Sequence, residues 1–254
     1  MSLQSKIDQS KRFLDTVVTN MGNLYIANSG GKDSTVVYFL AKEIGAHLPV
    51  FHNNTTIDPD GTLRFIRETM PETVINQPKE SFYQLVERKG LPTRLNRYCC
   101  EILKESGGIG KNTIEGVRST ESKGRQGRDY IQCDTRKSMK GAKHIYPIYD
   151  WTDDEVWDFI KQRGLPVAPC YAKGMCRLGC VGCPQISRKG ARMREFELYP
   201  RRWDACKKAI TKGMAKNPQW KITRYTNGDG ERAMQWWLSG KTMADYFGQL
   251  KLEF

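Results

Sequence analysis

The sequence predicts an α/β fold: an open, mostly parallel sheet of about five strands with helices on both faces, followed by a C-terminal helical appendage. Three observations carry this expectation. Short apolar runs alternate with segments of helical spacing, a glycine pair joins one such run directly to a helix, and beyond Pro184 the composition turns to Arg, Lys, Trp and Tyr on helical patterns. Strands that alternate with helices are joined by crossovers and lie parallel.

The elements follow in order. Leu24-Tyr25-Ile26-Ala27 reads as a strand that runs into Asn28-Ser29-Gly30-Gly31, after which Val36, Val37, Leu40, Ala41 and Ile44 recur at helical spacing. Pro49-Val50-Phe51 reads as a second strand ending in the polar run His52-Asn53-Asn54-Thr55-Thr56, with a helix over 62–70. Further strands are expected at 73–75, 113–117 and 144–146, and helices at 81–88 and 153–163. Thr152 with Glu155 forms a capping box, and Trp151 and Trp157 read as packing residues. Residues 119–143 carry many charges with little periodicity and read equally as a mobile loop able to cover a substrate or as plain disorder. The expected division is a ligand-binding domain over 1–184 and a basic helical appendage over 185–254.

At 254 residues and 39% hydrophobic content the chain can bury a full core. It has no apolar run long enough to cross a membrane and no signal-peptide pattern, which predicts a cytoplasmic protein without a membrane partner. In that compartment the eight cysteines read as metal ligands or reactive thiols rather than disulfides. Lys and Arg number 41 against 28 Asp and Glu, and the net charge of +13 attracts polyanions, whether nucleotide or nucleic acid. A solvated basic surface is the alternative.

The string Ser29-Gly30-Gly31-Lys32-Asp33-Ser34 lies between strand and helix, at the end of a strand where open α/β sheets bind ligands. Gly30 and Gly31 permit positive φ and expose successive amides, and the helix aims its positive end at the same point. Ser29 and Ser34 add hydroxyls, Lys32 adds charge, and Asp33 can orient the loop or meet a metal on the phosphates. The spacing is not that of a Walker P-loop. Arg118, Arg125 and Arg128 suit bidentate contacts to phosphate or sulfate.

Adjacent Cys99-Cys100 and the pair Cys180-Val181-Gly182-Cys183 supply two thiolate pairs for one tetrahedral site. Zinc and an iron-sulfur cluster both remain open on this spacing. Cys176 and Cys170 are close in sequence to Cys180 and compete for a place in the set. Cys133 and Cys206 read as buried small hydrophobes or spare thiols.

Over residues 24–184 the chain resembles the phosphoadenosine phosphosulfate (PAPS) reductase family of the PP-loop ATP pyrophosphatase superfamily. The shared wording includes the phosphate loop and Arg97-Tyr98-Cys99-Cys100 with Lys104. It continues through Gly116-Val117-Arg118-Ser119-Thr120-Glu121-Ser122 with Arg125, Tyr146-Pro147-Ile148, Trp151 to Trp157, Leu165-Pro166, Pro169, Tyr171, Gly174 and the last cysteine pair. The resemblance implies an adenine nucleotide α-hydrolase-like fold. It nominates Ser29, Gly30, Gly31, Lys32, Asp33, Ser34, Asn54, Arg118, Glu121 and Arg125 for the nucleotide, with Lys32, Asp33 and Arg118 catalytic and Thr55 beside Asn54 flanking the nucleoside. It also implies a 4Fe-4S cluster on Cys99, Cys100, Cys180 and Cys183, with Cys176 as a substitute and Zn²⁺ as the alternative metal.

Two departures bear on the reaction. Sulfonucleotide reductases attack sulfate sulfur with a cysteine in a short motif near the C-terminus, and this sequence shows none after Cys206. The full Ser-Gly-Gly-Lys-Asp-Ser string resembles that of ATP-cleaving relatives, among them the iron-sulfur sulfur-transfer component of DNA phosphorothioation. The expectation is therefore an enzyme that binds ATP and Mg²⁺, cleaves the α-β bond and adenylates an acceptor for sulfur transfer, with nucleic acid and a sulfur donor as partners. The alternatives are a sulfonucleotide reductase and a non-catalytic, zinc-containing nucleic-acid-binding protein.

Overall fold

The computed structural model describes residues 2–139, 141–188 and 190–249. In chain order its regular elements begin with α1 (Leu3–Asn20), β1 (Leu24–Ala27), α2 (Lys32–Glu43), β2 (Val50–Asn53), α3 (Thr62–Thr69), β3 (Thr73–Asn76), α4 (Phe82–Lys89) and α5 (Tyr98–Cys100). They continue with β4 (Asn112–Ile114), β5 (Ile131–Cys133), β6 (Lys143–Ile145), α6 (Asp153–Gln162) and α7 (Pro169–Ala172). The last are α8 (Ala191–Leu198), α9 (Pro200–Lys216), α10 (Lys221–Thr226), α11 (Gly230–Ser239) and α12 (Met243–Gln249).

By contacts the chain falls into two compact units with interleaved segments: 1–54, 60–77 and 105–178 form the first, and 55–59, 78–104 and 179–254 the second. The C-terminal helices therefore share a unit with two earlier segments rather than standing alone after Pro184.

The first unit holds a six-stranded sheet in the order β3-β2-β1-β4-β6-β5. Every pairing is parallel except that of β5 with β6. The chain moves outward from β1 through β2 to β3, then returns to place β4 on the other side of β1. That reversal opens a crevice at the carboxyl ends of β1 and β4, the position at which open α/β sheets receive ligands. Leu24 and Ile26 of β1 pair with Asn112 and Ile114 of β4, and the buried isoleucines at the sheet centre help fix the register: Ile26, Ile114 and Ile145 are at most 2% exposed.

Two features of this unit lie outside the sequence expectations. The helix α1 precedes the sheet and buries Ile7, Leu14 and Val17. Residues 119–143 are not one loop: they carry three turns of 3-10 helix and the edge strand β5, whose antiparallel register pairs Gln132 with His144. The capping box at α6 is present, with Thr152 Oγ1 accepting from the Glu155 amide at 3.2 Å and Glu155 Oε2 accepting from the Thr152 amide at 2.7 Å. Trp151 is fully buried against Phe159, as a packing residue should be.

The second unit packs α4 against α9 at close range. A Cβ built on Gly213 of α9 would stand 2.7 Å from the Glu87 carbonyl oxygen of α4, so this crossing requires glycine. Trp237 of α11 is anchored by its indole N–H to the Pro92 carbonyl at 2.5 Å. Among the described residues no helix is long and apolar enough to cross a membrane.

Candidate functional site

The phosphate loop turns from β1 into α2 through a backbone that its own side chains hold. Gly30 has φ +75°, and a Cβ there would press on Ile66 and Thr62 at 3.1 to 3.3 Å. Gly31 departs from the expectation: as N-cap of α2 its φ is −80°, an ordinary value. What it needs is space, since an added Cβ would lie 3.2 Å from Ser29 Oγ and 3.5 Å from the Tyr171 hydroxyl.

The loop amides are engaged rather than open. The Ser29 amide donates to Ser34 Oγ (3.2 Å), Gly30 to Asn28 Oδ1 (2.8 Å), Gly31 to Ser29 Oγ (3.2 Å) and Lys32 to the Tyr171 hydroxyl (2.9 Å). Oxygen atoms of Asn28, Ser29, Ser34 and Tyr171 thus hold donors that a phosphate group can take over. The amides of Asp33 and Ser34, in the first turn of α2, have no intrahelical acceptor and add the helix dipole. Tyr171 has a phenol pushed above its usual pKa by burial, although hydrogen bonds from the Lys32 and Leu178 backbone pull the other way.

Four charged side chains close the site. Lys32 Nζ lies 3.0 Å from Asp33 Oδ2 and 2.8 Å from Asp153 Oδ1. Arg118 Nε lies 2.6 Å from Asp33 Oδ1, and its Nη2 lies 2.7 Å from Asp153 Oδ1. The cations are sunk, with side chains 3% and 4% exposed, whereas Asp153 is 58% exposed at the mouth. Burial works to raise the Asp153 carboxyl, but Lys32 and Arg118 outweigh it and hold it below the usual carboxylate range. Two cations and two anions balance here, and the guanidinium and ammonium are shared between Asp33 and Asp153.

Gly116 fixes the geometry between the end of β4 and this loop. Its hypothetical Cβ would fall 2.5 Å from the Asp33 carbonyl carbon and 2.7 Å from the Ser34 amide, backbone atoms that cannot step aside. Glu121 accepts from the Arg118 amide at 3.0 Å and pairs with Arg125. Burial, with the neighbouring Arg128 and Arg177 guanidiniums, pulls the Arg125 pKa down. This crowding of cations marks an anion-attracting patch, and Arg177 had no motif in the sequence to single it out. Asn54 follows β2, its side-chain amide nitrogen donating to Gln77 Oε1 at 2.8 Å.

In the second unit, Cys99, Cys100, Cys180 and Cys183 all line one pocket, with Thr55, Lys104 and Trp237 also in its wall. Thr55, expected beside a nucleoside, instead hydrogen-bonds the Cys180 thiol. A hydrogen bond from Cys99 brings Cys100 down to about 6, while the same bond and burial push Cys99 up. Burial pushes Cys180 up to about 11, and thiolate charge on Cys180 holds the Lys104 ammonium above its ordinary value. One acidified thiol and a cation among four sulfurs suit an anionic sulfur-ligated centre.

Among the described residues no three His, Cys, Asp or Glu side chains converge tightly enough to hold a single metal ion. The four thiols surround a cavity instead. Four thiols on one pocket wall are a donor set suited to sulfur-ligated metal, iron-sulfur cluster or zinc. Cys176 is exposed in the first unit, where Cys170 is buried, and neither lines this cavity. Cys133 is exposed on β5, and Cys206 is fully buried with its thiol pushed up to about 12.

Residues 23–186 match the model of the phosphoadenosine phosphosulfate reductase domain. The chain belongs to this family. An uncharacterized protein of Methanocaldococcus jannaschii is 32% identical over 184 residues, covering 68% of this chain and 44% of that protein. An adenosine 5'-phosphosulfate reductase of Bacillus cereus is 27% identical over 187 residues, covering 68% of this chain and 78% of that enzyme. The match thus spans less than half the length of the archaeal relative. Among solved structures, the PAPS reductase of Candida auris in its phosphate complex superposes with a TM-score of 0.54 at 17% identity, covering 68% of this chain and 88% of that one. The FMN adenylyltransferase of Candida glabrata in complex with ATP gives 0.51 at 18% identity, covering 77% and 71%. These two likenesses establish the fold: a mostly parallel sheet with helices around it, shared with PAPS reductase-like, adenine nucleotide α-hydrolase proteins.

Proposed function

We propose that this family member is a cytoplasmic PP-loop enzyme that binds ATP, cleaves its α-β bond and adenylates an acceptor for sulfur transfer. The observation that carries the reading is the closed charge set of Lys32, Asp33, Arg118 and Asp153 around an intact Ser29-to-Ser34 loop at the sheet's switch point. Lys32 and Arg118 neutralise the β- and γ-phosphates, and the first-turn amides of α2 receive phosphate oxygens. Asp33 and Asp153, released from their ion pairs, are the carboxylates available to Mg²⁺, which takes few protein ligands beside phosphate oxygens. Glu121 holds the start of the segment that follows Arg118, and the patch of Arg125, Arg128 and Arg177 receives the α-phosphate or the acceptor's own anion.

The chemistry is an in-line displacement: an acceptor oxygen forms a bond to the α-phosphorus, the bond from that phosphorus to the bridging oxygen breaks, and pyrophosphate leaves with its charge on these cations. The acceptor's proton passes to solvent. Catalysis is positioning and charge neutralisation, which needs no dedicated base. A 4Fe-4S cluster held by Cys99, Cys100, Cys180 and Cys183 would supply a place to hold sulfur for the activated acceptor.

Nucleic acid is the acceptor class the charge favours. The second unit carries 21 Lys and Arg against 11 Asp and Glu, a surplus of +10 out of the chain's +13. The excess therefore sits on the unit with the four cavity cysteines, while the nucleotide unit is close to balanced.

Likeness to an adenosine 5'-phosphosulfate reductase favours one second reading, reduction of a sulfonucleotide. Pyrophosphate release from ATP, measured on anaerobically purified protein with and without DNA or RNA, separates the two. Release stimulated by nucleic acid is expected; no release under any acceptor condition, with sulfite formed from a sulfonucleotide, would replace this proposal with the second reading.

A further inference from the structure

Arg192 is a buried cation in the second unit that the phosphate chemistry does not use. It stands in the first turn of α8 at 7% exposure. Its Nε donates to the Gly182 carbonyl at 3.0 Å, its Nη1 donates to the Trp237 carbonyl at 2.5 Å, and its guanidinium stacks over the Trp237 ring at 4.4 Å. Its Nη2 is buried without a hydrogen-bond partner among the described residues, and the Glu195 carboxylate on the same helix also acts on its charge.

This arrangement surrounds the Cys180-to-Cys183 turn. Gly182, at φ +68°, donates its amide to Glu195 Oε2 at 2.8 Å, and a Cβ on it would fall 2.1 Å from the Phe196 ring. Helix α8 thus grips the turn through Arg192, Glu195 and Phe196. Cys183, the residue after Gly182, lines the cysteine cavity together with Trp237, and thiolate charge on Cys183 is felt at Arg192.

A guanidinium removed from water is costly unless an anion and full hydrogen bonding compensate it. Two carbonyl oxygens and an aromatic face compensate it in part. The Glu195 carboxylate offsets part of the charge, and the orphaned Nη2 donor, a buried polar group without a partner in a native fold, still requires an explanation.

We propose that Arg192 is the charge partner of the anionic centre held by Cys99, Cys100, Cys180 and Cys183, and that it raises the reduction potential of that centre by stabilising its more negative, reduced form. The proposal rests on the reading that these cysteines bind an iron-sulfur cluster. Arg192 is not a ligand. Its effect is electrostatic, since charge and hydrogen bonds around the sulfurs set cluster potentials.

The test compares full-length wild type, Arg192→Lys and Arg192→Gln, each purified and reconstituted anaerobically with iron and sulfide. Iron and sulfide content and a potentiometric titration followed by electron paramagnetic resonance are read for each. In Arg192→Gln the cluster is retained but its reduction becomes at least tenfold less favourable, about 59 mV lower for a one-electron step, while Arg192→Lys stays closer to wild type. Equal potentials in all three would overturn the role of Arg192 while leaving the cluster reading intact. A wild type that takes up no iron would overturn both. Because Arg192→Gln can also disturb folding, the wild-type holoprotein labelled with ¹⁵N-arginine provides an independent readout. Electron-nuclear double resonance on its reduced cluster should show a weak ¹⁵N coupling in addition to that of Arg97, which hydrogen-bonds Cys100, and a spectrum unchanged in the labelled Arg192→Lys protein would count against the proposal.

Discussion

Arg118 Nε donates to Asp33 Oδ1 across 2.6 Å, tying the segment after β4 to the first turn of α2. The bond joins the phosphate loop to the Gly116-to-Glu121 stretch and places a buried cation at the proposed phosphate site. Arg118→Met leaves Asp33 and Asp153 short of a partner. Removing one member of a buried pair typically costs about 3–5 kcal/mol. We expect a loss in that range by urea denaturation and at least a tenfold weaker ATP titration. Arg118→Lys should rescue only part of it, since a point charge cannot span both carboxylates as the fork does. Unchanged ATP affinity in Arg118→Met would remove Arg118 from the binding site.

Gly116→Ala tests the same junction through the backbone. The added methyl must displace main-chain atoms of Asp33 and Ser34 at 2.5 to 2.7 Å, an overpacking that costs about 1–3 kcal/mol. Gly124→Ala, whose Cβ meets nothing within 4 Å, serves as the control and should change stability by less than about 0.5 kcal/mol. ATP affinity should fall in the first variant and hold in the second.

What could be read in advance follows from where the physics is local. The strands from Leu24 to Asn76 and helices α2, α3 and α6 announce themselves because apolar residues repeat at one period, and the Thr152 cap is a two-residue signal. Strand β5 does not: Ile131, Gln132 and Cys133 lie at a half-solvated edge, and only pairing with β6 makes them a strand. The site divides in the same way. Lys32, Asp33 and Arg118 stand in strings that resemble a known family, whereas Asp153 looks like an ordinary first-turn helix residue until the fold brings it 2.8 Å from Lys32. Thr55 sits two residues past β2, and its placement beside Cys180 is decided by tertiary packing alone.

His144 gives a pH dependence with a definite sign. Its Nδ1 lies 2.7 Å from Glu115 Oε1 and its Nε2 3.1 Å from Asp134 Oδ2, pairing β6 to the end of β4 and to the segment after β5. The hydrogen bond to Glu115 leads in raising its pKa to about 9, with burial opposing and Asp134 assisting. A raised folded-state pKa stabilises fully below the unfolded value near 6.5, and the stabilisation fades as pH climbs through 9. At about 1.4 kcal/mol per unit it amounts to roughly 3 kcal/mol. Urea unfolding at pH 6 and pH 9.5 should show a decline in wild type that is much reduced in His144→Gln. Parallel declines in the two proteins would show that His144 is not the titrating group.

The four cavity thiols should act as a set. Cys100→Ser and the Cys180→Ser, Cys183→Ser double variant should lose the iron and sulfide taken up on anaerobic reconstitution, while Cys176→Ser, altered at an exposed position in the first unit, should keep them. Full iron and sulfide in the double variant would sink the assignment, and loss in Cys176→Ser would restore that residue as a ligand.

The last prediction separates adenylation from sulfonucleotide reduction. A reductase of that kind forms a cysteine-sulfur bond to the bound sulfate, so it needs a thiolate that can reach the nucleotide. Cys206 does not meet that need: it is fully buried in α9, and its thiol, pushed up to about 12, stays protonated at neutral pH. The acidified Cys100 sits among the proposed cluster ligands, and Cys133 and Cys176 are the exposed thiols among the others. Anaerobically prepared protein mixed with PAPS or adenylyl sulfate, thioredoxin and a reductant should therefore release no sulfite over many turnovers, while ATP with Mg²⁺ and nucleic acid yields pyrophosphate. Sulfite production that disappears in Cys133→Ser, Cys176→Ser or Cys206→Ser would identify the nucleophile and establish the reductase. Pyrophosphate release that is lost in Lys32→Met, with no sulfite from any variant, is the outcome expected when ATP phosphates sit on the Ser29-to-Ser34 loop.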